Sequence, residues 1–352
     1  MKMLEILETM VERGGSDVFV ASGSPPRMNV DGKMETLDSH SLSAENAEHL
    51  LRQILNSEQW AEFQKTKELN VAYSLENKAR FRVNVYFQKG TPAAVIRQIK
   101  IKIPTVNDLN LPPFLEKLIL SPRGLILVTG ATGSGKSTTM AAMIDYRAAH
   151  MEGHIVTIED PIEFVFEHKK SMVTQREVGL DTCSFKEALK NSLRQAPNVI
   201  YIGELRDAET VEFALHCAET GHLVLSTLHS TNVPQTIERI LNFFSKDYHP
   251  QVLIQLSYNL RAIISQRLIP LESKGRYPVL EILINTAFVQ ETIQKGELGQ
   301  LKKIMESGKQ EGMQTFDLHL KELVEKKIVS EEKALAYADS PSDLRLKLRG
   351  FI

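Results

Sequence analysis

Gly130-Ala131-Thr132-Gly133-Ser134-Gly135-Lys136-Ser137, followed by Thr138, leaves few folds open to this chain. The eight positions satisfy the G-x-x-x-x-G-K-[ST] pattern of a phosphate-binding loop. Before them, 124–129 is a short apolar run that reads as a buried strand. After them, 138–149 reads as a helix. Three glycines let the backbone curl until successive N–H groups point at one anion. The helix N-terminus adds its positive end. Thr132, Gly133, Ser134, Gly135, Lys136, Ser137 and Thr138 are therefore the candidates for phosphate contact. Lys136 would reach the β- and γ-phosphates, and Ser137 would hold Mg²⁺. The bland alternative, a Gly-rich turn without a ligand, is opposed by the full pattern and both flanks. ATP with Mg²⁺ is the expected ligand.

From this loop onward strands and helices alternate: strand 154–158, helix 185–194, strand 198–202, helix 207–219, strand 222–226, helix 233–242. That order predicts a parallel α/β sheet. Beyond 250 the apolar spacing turns helical, at 251–264, 285–295, 315–327 and 331–338. Upstream, 3–13 reads as a helix with Leu4, Leu7, Met10 and Val11 on one face. Asp31-Gly32 between two alternating runs is a hairpin signal. Ser43 and Ser57 are candidate helix caps, and 69–75, 79–88 and 92–99 read as strands. The result is a small, mainly antiparallel α/β unit over 1–100. The proline-rich 101–113 reads as a linker.

Three further boxes carry acids or histidines. Strand 155–158 ends in Glu159-Asp160-Pro161-Ile162-Glu163, and Pro161 keeps Asp160 out of the helical region. These acids fall at the carboxyl edge of the sheet, where an open α/β fold binds its ligand. They are either Mg²⁺-coordinating and water-activating groups or a solvated acidic turn, and the neighbouring loop favours the former. Strand 198–202 ends in Gly203-Glu204, a carboxylate placed to aim water or join the metal shell. Arg206 and Asp207 read as local pairs. In 220–230, His222 and His229 bracket a strand and face opposite ways. They cannot share one metal, so no zinc site is expected. His229 would sense the γ-phosphate, or it is a hydrogen-bonded core histidine. Within 79–88, Phe81, Val83, Val85 and Phe87 take one face, and Arg80, Arg82, Asn84 and Tyr86 take the other. Arg80 and Arg82 are either solvated or aimed across a subunit boundary at nucleotide. Arg97, expected half-buried, is either a paired structural arginine or a functional one.

A net charge of −2 gives no basic field for nucleic acid, and two cysteines, Cys183 and Cys217, form no C-x-x-C pair. No apolar run approaches the ~20 residues of a membrane span, and the N-terminus has no signal-peptide core. A cytoplasmic location is expected.

The boxes GATGSGKS, TIEDPIEF, IGELRD and TGHLVLSTLHSTN resemble, in order and spacing, those of the secretion-ATPase superfamily. With SDVFV, PPRMNVDGKM, ARFRVNVYFQ and GMQTFD, the likeness covers essentially the whole chain and points to the type IV pilus retraction ATPases, the PilT/PilU family. The resemblance implies a PAS-like domain over 1–100, the linker, a RecA-like P-loop core over 114–270 and a helical region over 271–352. It implies a homohexamer that hydrolyses ATP with Mg²⁺ and drives pilus retraction and twitching. Lys136, Ser137, Glu163, Glu204 and His229 inherit catalytic or phosphate-sensing roles. Glu159 and Asp160 inherit Mg²⁺ contacts, partly through water. Arg80, Arg82 and Arg97 stand where the family supplies arginines. Where a PilT-type member carries AIRNLIRE, this chain reads 287–294 as AFVQETIQ. That and the tail ADSPSDLRLKLRG resemble the PilU type and imply an accessory motor with a PilT-like paralogue as partner. An inner-membrane pilus platform protein would hold the ring at the pilus base. Other readings are a weakly hydrolysing adaptor ring, an assembly or secretion ATPase, and a nucleic-acid translocase; the second lacks the usual zinc cysteines here, and the last lacks a basic stripe.

Overall fold

Alternation in the N-terminal strands becomes burial. The computed structural model describes residues 2–30, 32–75, 79–99, 102–272 and 275–350. It divides into two compact units, 1–102 with 163–165, and 103–162 with 166–352. In the first, β1 (Asp17–Val20), β2 (Arg27–Val30), β3 (Lys33–Thr36), β4 (Glu68–Leu75), β5 (Ala79–Gln88) and β6 (Thr91–Ile99) form one antiparallel sheet, in the order β3-β2-β1-β6-β5-β4. Phe81, Val83 and Val85 are buried beside Met3, Ile6, Leu7 and Met10 of α1 (Met3–Glu12). Phe87 stacks on Phe63 with ring centroids 4.6 Å apart.

Ser43 caps α2 (Ala44–Arg52) as expected. The cap of α3 (Ser57–Thr66) is Asn56 rather than Ser57, because Asn56 and Gln59 exchange side-chain and backbone bonds in a capping box. Of the expected Asp31-Gly32 turn, Asp31 lies outside the described residues; Val30 and Lys33 pair on either side. Of the expected linker, Ile101 also lies outside them. The stretch from 103 groups with the second unit and buries Val106 and Leu111.

The second unit is built on β7 (Gly124–Thr129), β8 (Gly153–Glu159), β9 (Ser171–Glu177), β10 (Val199–Ile202), β11 (Leu223–Leu228), β12 (Leu260–Pro270) and β13 (Arg276–Ile284). Their order is β13-β12-β7-β11-β10-β8-β9, parallel except for β13. Ahead of and among the strands lie α4 (Phe114–Ile119), α5 (Lys136–His150), α6 (Phe185–Ser192), α7 (Ala208–Glu219), α8 (Val233–Leu241) and α9 (His249–Asn259). After β13 follow α10 (Ala287–Gln294), α11 (Leu301–Ser307), α12 (Phe316–Glu325), α13 (Glu331–Tyr337) and α14 (Pro341–Leu348).

Three strands depart from expectation. The helical spacing at 251–264 stops at Asn259, and Leu260 opens β12. A strand covered on both faces shows no two-residue alternation, so its apolar run fits a helix equally well. With β13 the sheet runs on to 284, past residue 270. Edge strand β9 offers only a short apolar signal in Ser171–Glu177 and was not foreseen.

Candidate functional site

Strand order decides what can meet. β7, β11, β10 and β8 are neighbours in the sheet, all parallel. The loops leaving their carboxyl ends carry Gly130–Ser137, His229, Gly203-Glu204 and Glu159-Asp160 respectively. Register holds these ends level, with Thr129 opposite Leu228 and Ile202 opposite Ile158.

The glycine loop closes onto its own lysine. Lys136, at the start of α5 and 8% exposed, donates from Nζ to the carbonyls of Gly130 and Ala131, both at 3.0 Å. Gly130 has no room for a side chain: a Cβ would lie 2.4 Å from both the Gln266 carbonyl and Ser134 Oγ. Ser134 Oγ is buried without a hydrogen-bond partner. An orphaned buried hydroxyl inside an amide-lined loop fits an acceptor-rich ligand such as phosphate. Ser137 is half-buried one residue into the helix, and Thr138 follows it. Thr132 and Gly133 are exposed at the loop's tip.

The loop is braced from behind by a residue the sequence reading missed. Gln266 of β12, 3% exposed, donates from Nε2 to the Ser134 carbonyl at 2.8 Å and accepts from Thr139 Oγ1 at 2.7 Å. One amide thus ties the loop's apex to the first turn of α5.

Around Lys136 the other boxes converge. His229 Nδ1 is 3.5 Å from Lys136 Nζ, and its Nε2 is 3.6 Å from Glu204 Oε1. Arg206 donates from Nε to Glu204 at 3.2 Å and from Nη1 to Asp160 at 2.9 Å. Arg206 therefore makes more than a local pair: it joins the carboxylates of two boxes. Asp207 caps α7. Burial lowers the His229 pKa, Lys136, Arg239 and Arg206 lower it further, and Glu204 opposes them. The imidazole is therefore neutral at pH 7. Its Nδ1 faces an ammonium, so the proton belongs on Nε2, toward Glu204.

Glu159, buried, accepts at Oε1 from Thr157 Oγ1 (2.7 Å) and Gln175 Nε2 (3.1 Å). Gly203 is tight against this strand: a Cβ would lie 3.3 Å from the Ile158 carbonyl and 3.4 Å from Glu159 Cα. Among the described residues no three His, Cys, Asp or Glu side chains converge to hold a metal by themselves. Glu163 is exposed. The three arginines are in the first unit. Arg82 sits directly across the sheet from Arg97. Arg97 is exposed rather than half-buried, and its Nε donates to Asp17 at 2.7 Å. Arg80 Nε is buried without a hydrogen-bond partner.

Comparisons with known proteins give the family. The sequence model of the family described as "Type II/IV secretion system protein" matches residues 2–339. The "Type IV pilus ATPase PilU" of Pseudomonas aeruginosa is 47% identical over 350 residues, 99% of this chain and 92% of that protein. The "Type IV pilus retractation ATPase PilT" of the same organism is 40% identical over 343 residues, 97% of this chain and all of that one. Among solved structures, the pilus retraction motor PilT with bound ADP matches with a TM-score of 0.91 and 41% identity, over 98% of this chain and 99% of that one. The likeness carries the fold reading: a RecA-like P-loop core with a smaller N-terminal α/β domain.

Proposed function

The chain belongs to the type II/IV secretion system protein family, and on that premise we propose that it is an ATP-hydrolysing motor of the type IV pilus that acts in retraction. The observation that carries this is the line Lys136–His229–Glu204–Arg206–Asp160, where separate boxes meet at one sheet edge. The loop amides and Lys136 bind the phosphates. Glu204 aims the attacking water and takes up its proton, and neutral His229 reads the γ-phosphate from between Lys136 and Glu204. Arg206 keeps the two carboxylates from drifting apart. Ser137 would hold Mg²⁺, with Glu159 and Asp160 placed to reach it through water, and the ion would supply charge neutralisation at the phosphates. Glu163 is a further candidate base.

The motor is a homohexamer, and Arg80, Arg82 and Arg97 supply positive charge to nucleotide held by a neighbouring copy. Alanine at each should lower turnover more than ATP binding; if all three variants keep both, the sharing idea is wrong. The ring works from the cytoplasm at the pilus base, against a membrane platform protein. Among the described residues no helix is long and apolar enough to cross a membrane.

A second reading, an accessory ring that depends on a PilT-like paralogue, is favoured by α10. That helix carries Phe288, 58% exposed, and it has Val289 and Ile293, both buried, where the PilT-type motif has its two arginines. Deletion of the gene in a piliated strain separates these readings from assembly. Excess surface pili or lost twitching supports retraction, and loss of pili contradicts it. Twitching restored by the paralogue alone supports the accessory role.

A further inference from the structure

The C-terminal tail is joined through Arg267 to the loop that follows His229. Arg267 follows Gln266 on β12 and so faces the other way. Its Nη2 donates to Asp339 Oδ1 at 2.6 Å and to the Thr231 carbonyl at 3.4 Å, and its Nη1 donates to the Tyr337 carbonyl at 3.2 Å. The guanidinium carbon lies 3.8 Å from the centroid of the Phe316 ring. The tail is pinned in turn. Asp317, 1% exposed, accepts from the backbone N–H groups of Asp339 (2.8 Å) and Ser340 (3.3 Å), with Lys302 Nζ at 3.7 Å. This is the aspartate of GMQTFD, so two sequence features with no assigned purpose meet each other.

Thr231 is two residues beyond His229. The same short loop is held on its other side by buried hydroxyls. Ser230 Oγ is 2.7 Å from Thr236 Oγ1, which lies 3.4 Å from Thr129 Oγ1, at the end of the strand feeding the glycine loop. Glu281, on the strand beside Arg267, accepts the Val233 N–H at 2.7 Å and fixes the start of α8. The loop 229–233 is thus clamped between the P-loop strand and the tail.

We propose that Arg267 is a positioning residue for the histidine box, anchored by Asp339, so that segment 337–340 sets where His229 stands relative to Lys136 and Glu204. The tail is then a control point: whatever displaces it loosens the γ-phosphate sensor without touching the nucleotide. A charge-assisted bond is strong enough to hold a loop in this way, and a lysine in place of Arg267 could not span Asp339, Tyr337 and Thr231 at once.

The inference rests on the ATPase reading for its kinetic arm but not for its structural one. Asp339→Asn and Arg267→Lys are made in the full-length chain. Amide hydrogen exchange is followed with saturating ADP and Mg²⁺, together with steady-state ATP turnover. Exchange in a peptide spanning 229–236 should speed up about tenfold in both variants, with 124–129 unchanged, as expected for losing a charge-assisted contact. The catalytic constant should fall about five- to tenfold with KM within about twofold. Unchanged exchange at 229–236 in Asp339→Asn overturns the proposal, whether or not the wild type hydrolyses ATP. So does a fall in thermal stability with turnover intact. A wild type without turnover, by contrast, counts against the ATPase reading alone.

Discussion

Replacing Gln266 with leucine tests how the glycine loop keeps its shape. Leucine nearly matches the volume but removes both hydrogen bonds, the 2.8 Å donation to the Ser134 carbonyl and the 2.7 Å acceptance from Thr139. The Thr139 hydroxyl can turn back to a carbonyl of its own helix, so its loss is small, about 0.5–1 kcal/mol. The Ser134 carbonyl loses its buried donor, at about 1–3 kcal/mol. Together the substitution should cost about 1.5–4 kcal/mol, read as a shifted denaturant midpoint at unchanged slope. A loop that samples other shapes binds less often, so ADP affinity should drop about tenfold or more. Titration calorimetry with ADP and Mg²⁺ measures that directly. Thr139→Val is the control: it removes the smaller bond and leaves the Ser134 contact, so stability should fall by about 1 kcal/mol and affinity little. If Gln266→Leu keeps wild-type stability and ADP affinity, the amide is not what shapes the loop.

Two more tests use the charges of the core unit. Burial pushes the Glu281 carboxyl up to about 7, with the Val233 N–H, Arg267 and Lys302 opposing and Asp339 adding. The folded chain therefore binds this proton more tightly than the unfolded one, whose reference value is 4.5. Its contribution is complete below that value and lost as pH rises through about 7, a difference of about 3 kcal/mol. Glu281→Gln keeps an acceptor for Val233 and should raise thermal stability at pH 8 but not at pH 5; an equal effect at both rules the explanation out. Arg206→Gln should leave stability within about 1 kcal/mol, because its ion pairs are half exposed. It should lower turnover by releasing Asp160 and Glu204, and unchanged turnover would remove Arg206 from the site.

Much of the site was legible because its signals are local. The glycine loop, the acids after β8 and β10, and His229 after β11 each sit within a few residues of an apolar strand. A parallel sheet then gathers their carboxyl ends. Arg206 looked like a local partner because the acid that gives it meaning, Asp160, is 46 residues away. Gln266 lies 132 residues beyond Ser134, and nothing near it in the chain marks it as part of the loop. The β12–β13 hairpin was hidden for a different reason, since strands buried on both faces lose the alternation that identifies them. The capping of α3 by Asn56 instead of Ser57 shows the ordinary one-residue ambiguity of helix starts.

The most direct measurement is ATP binding and turnover by the purified chain with Mg²⁺, alongside Lys136→Ala and Glu204→Gln. The wild type should hydrolyse ATP. Lys136→Ala should lose affinity, and Glu204→Gln should bind normally but turn over about a hundredfold or more slowly, as expected for a lost general base. No affinity for adenine nucleotides in the wild type, or wild-type turnover in Glu204→Gln, would contradict the assignment of this sheet edge as the motor's site.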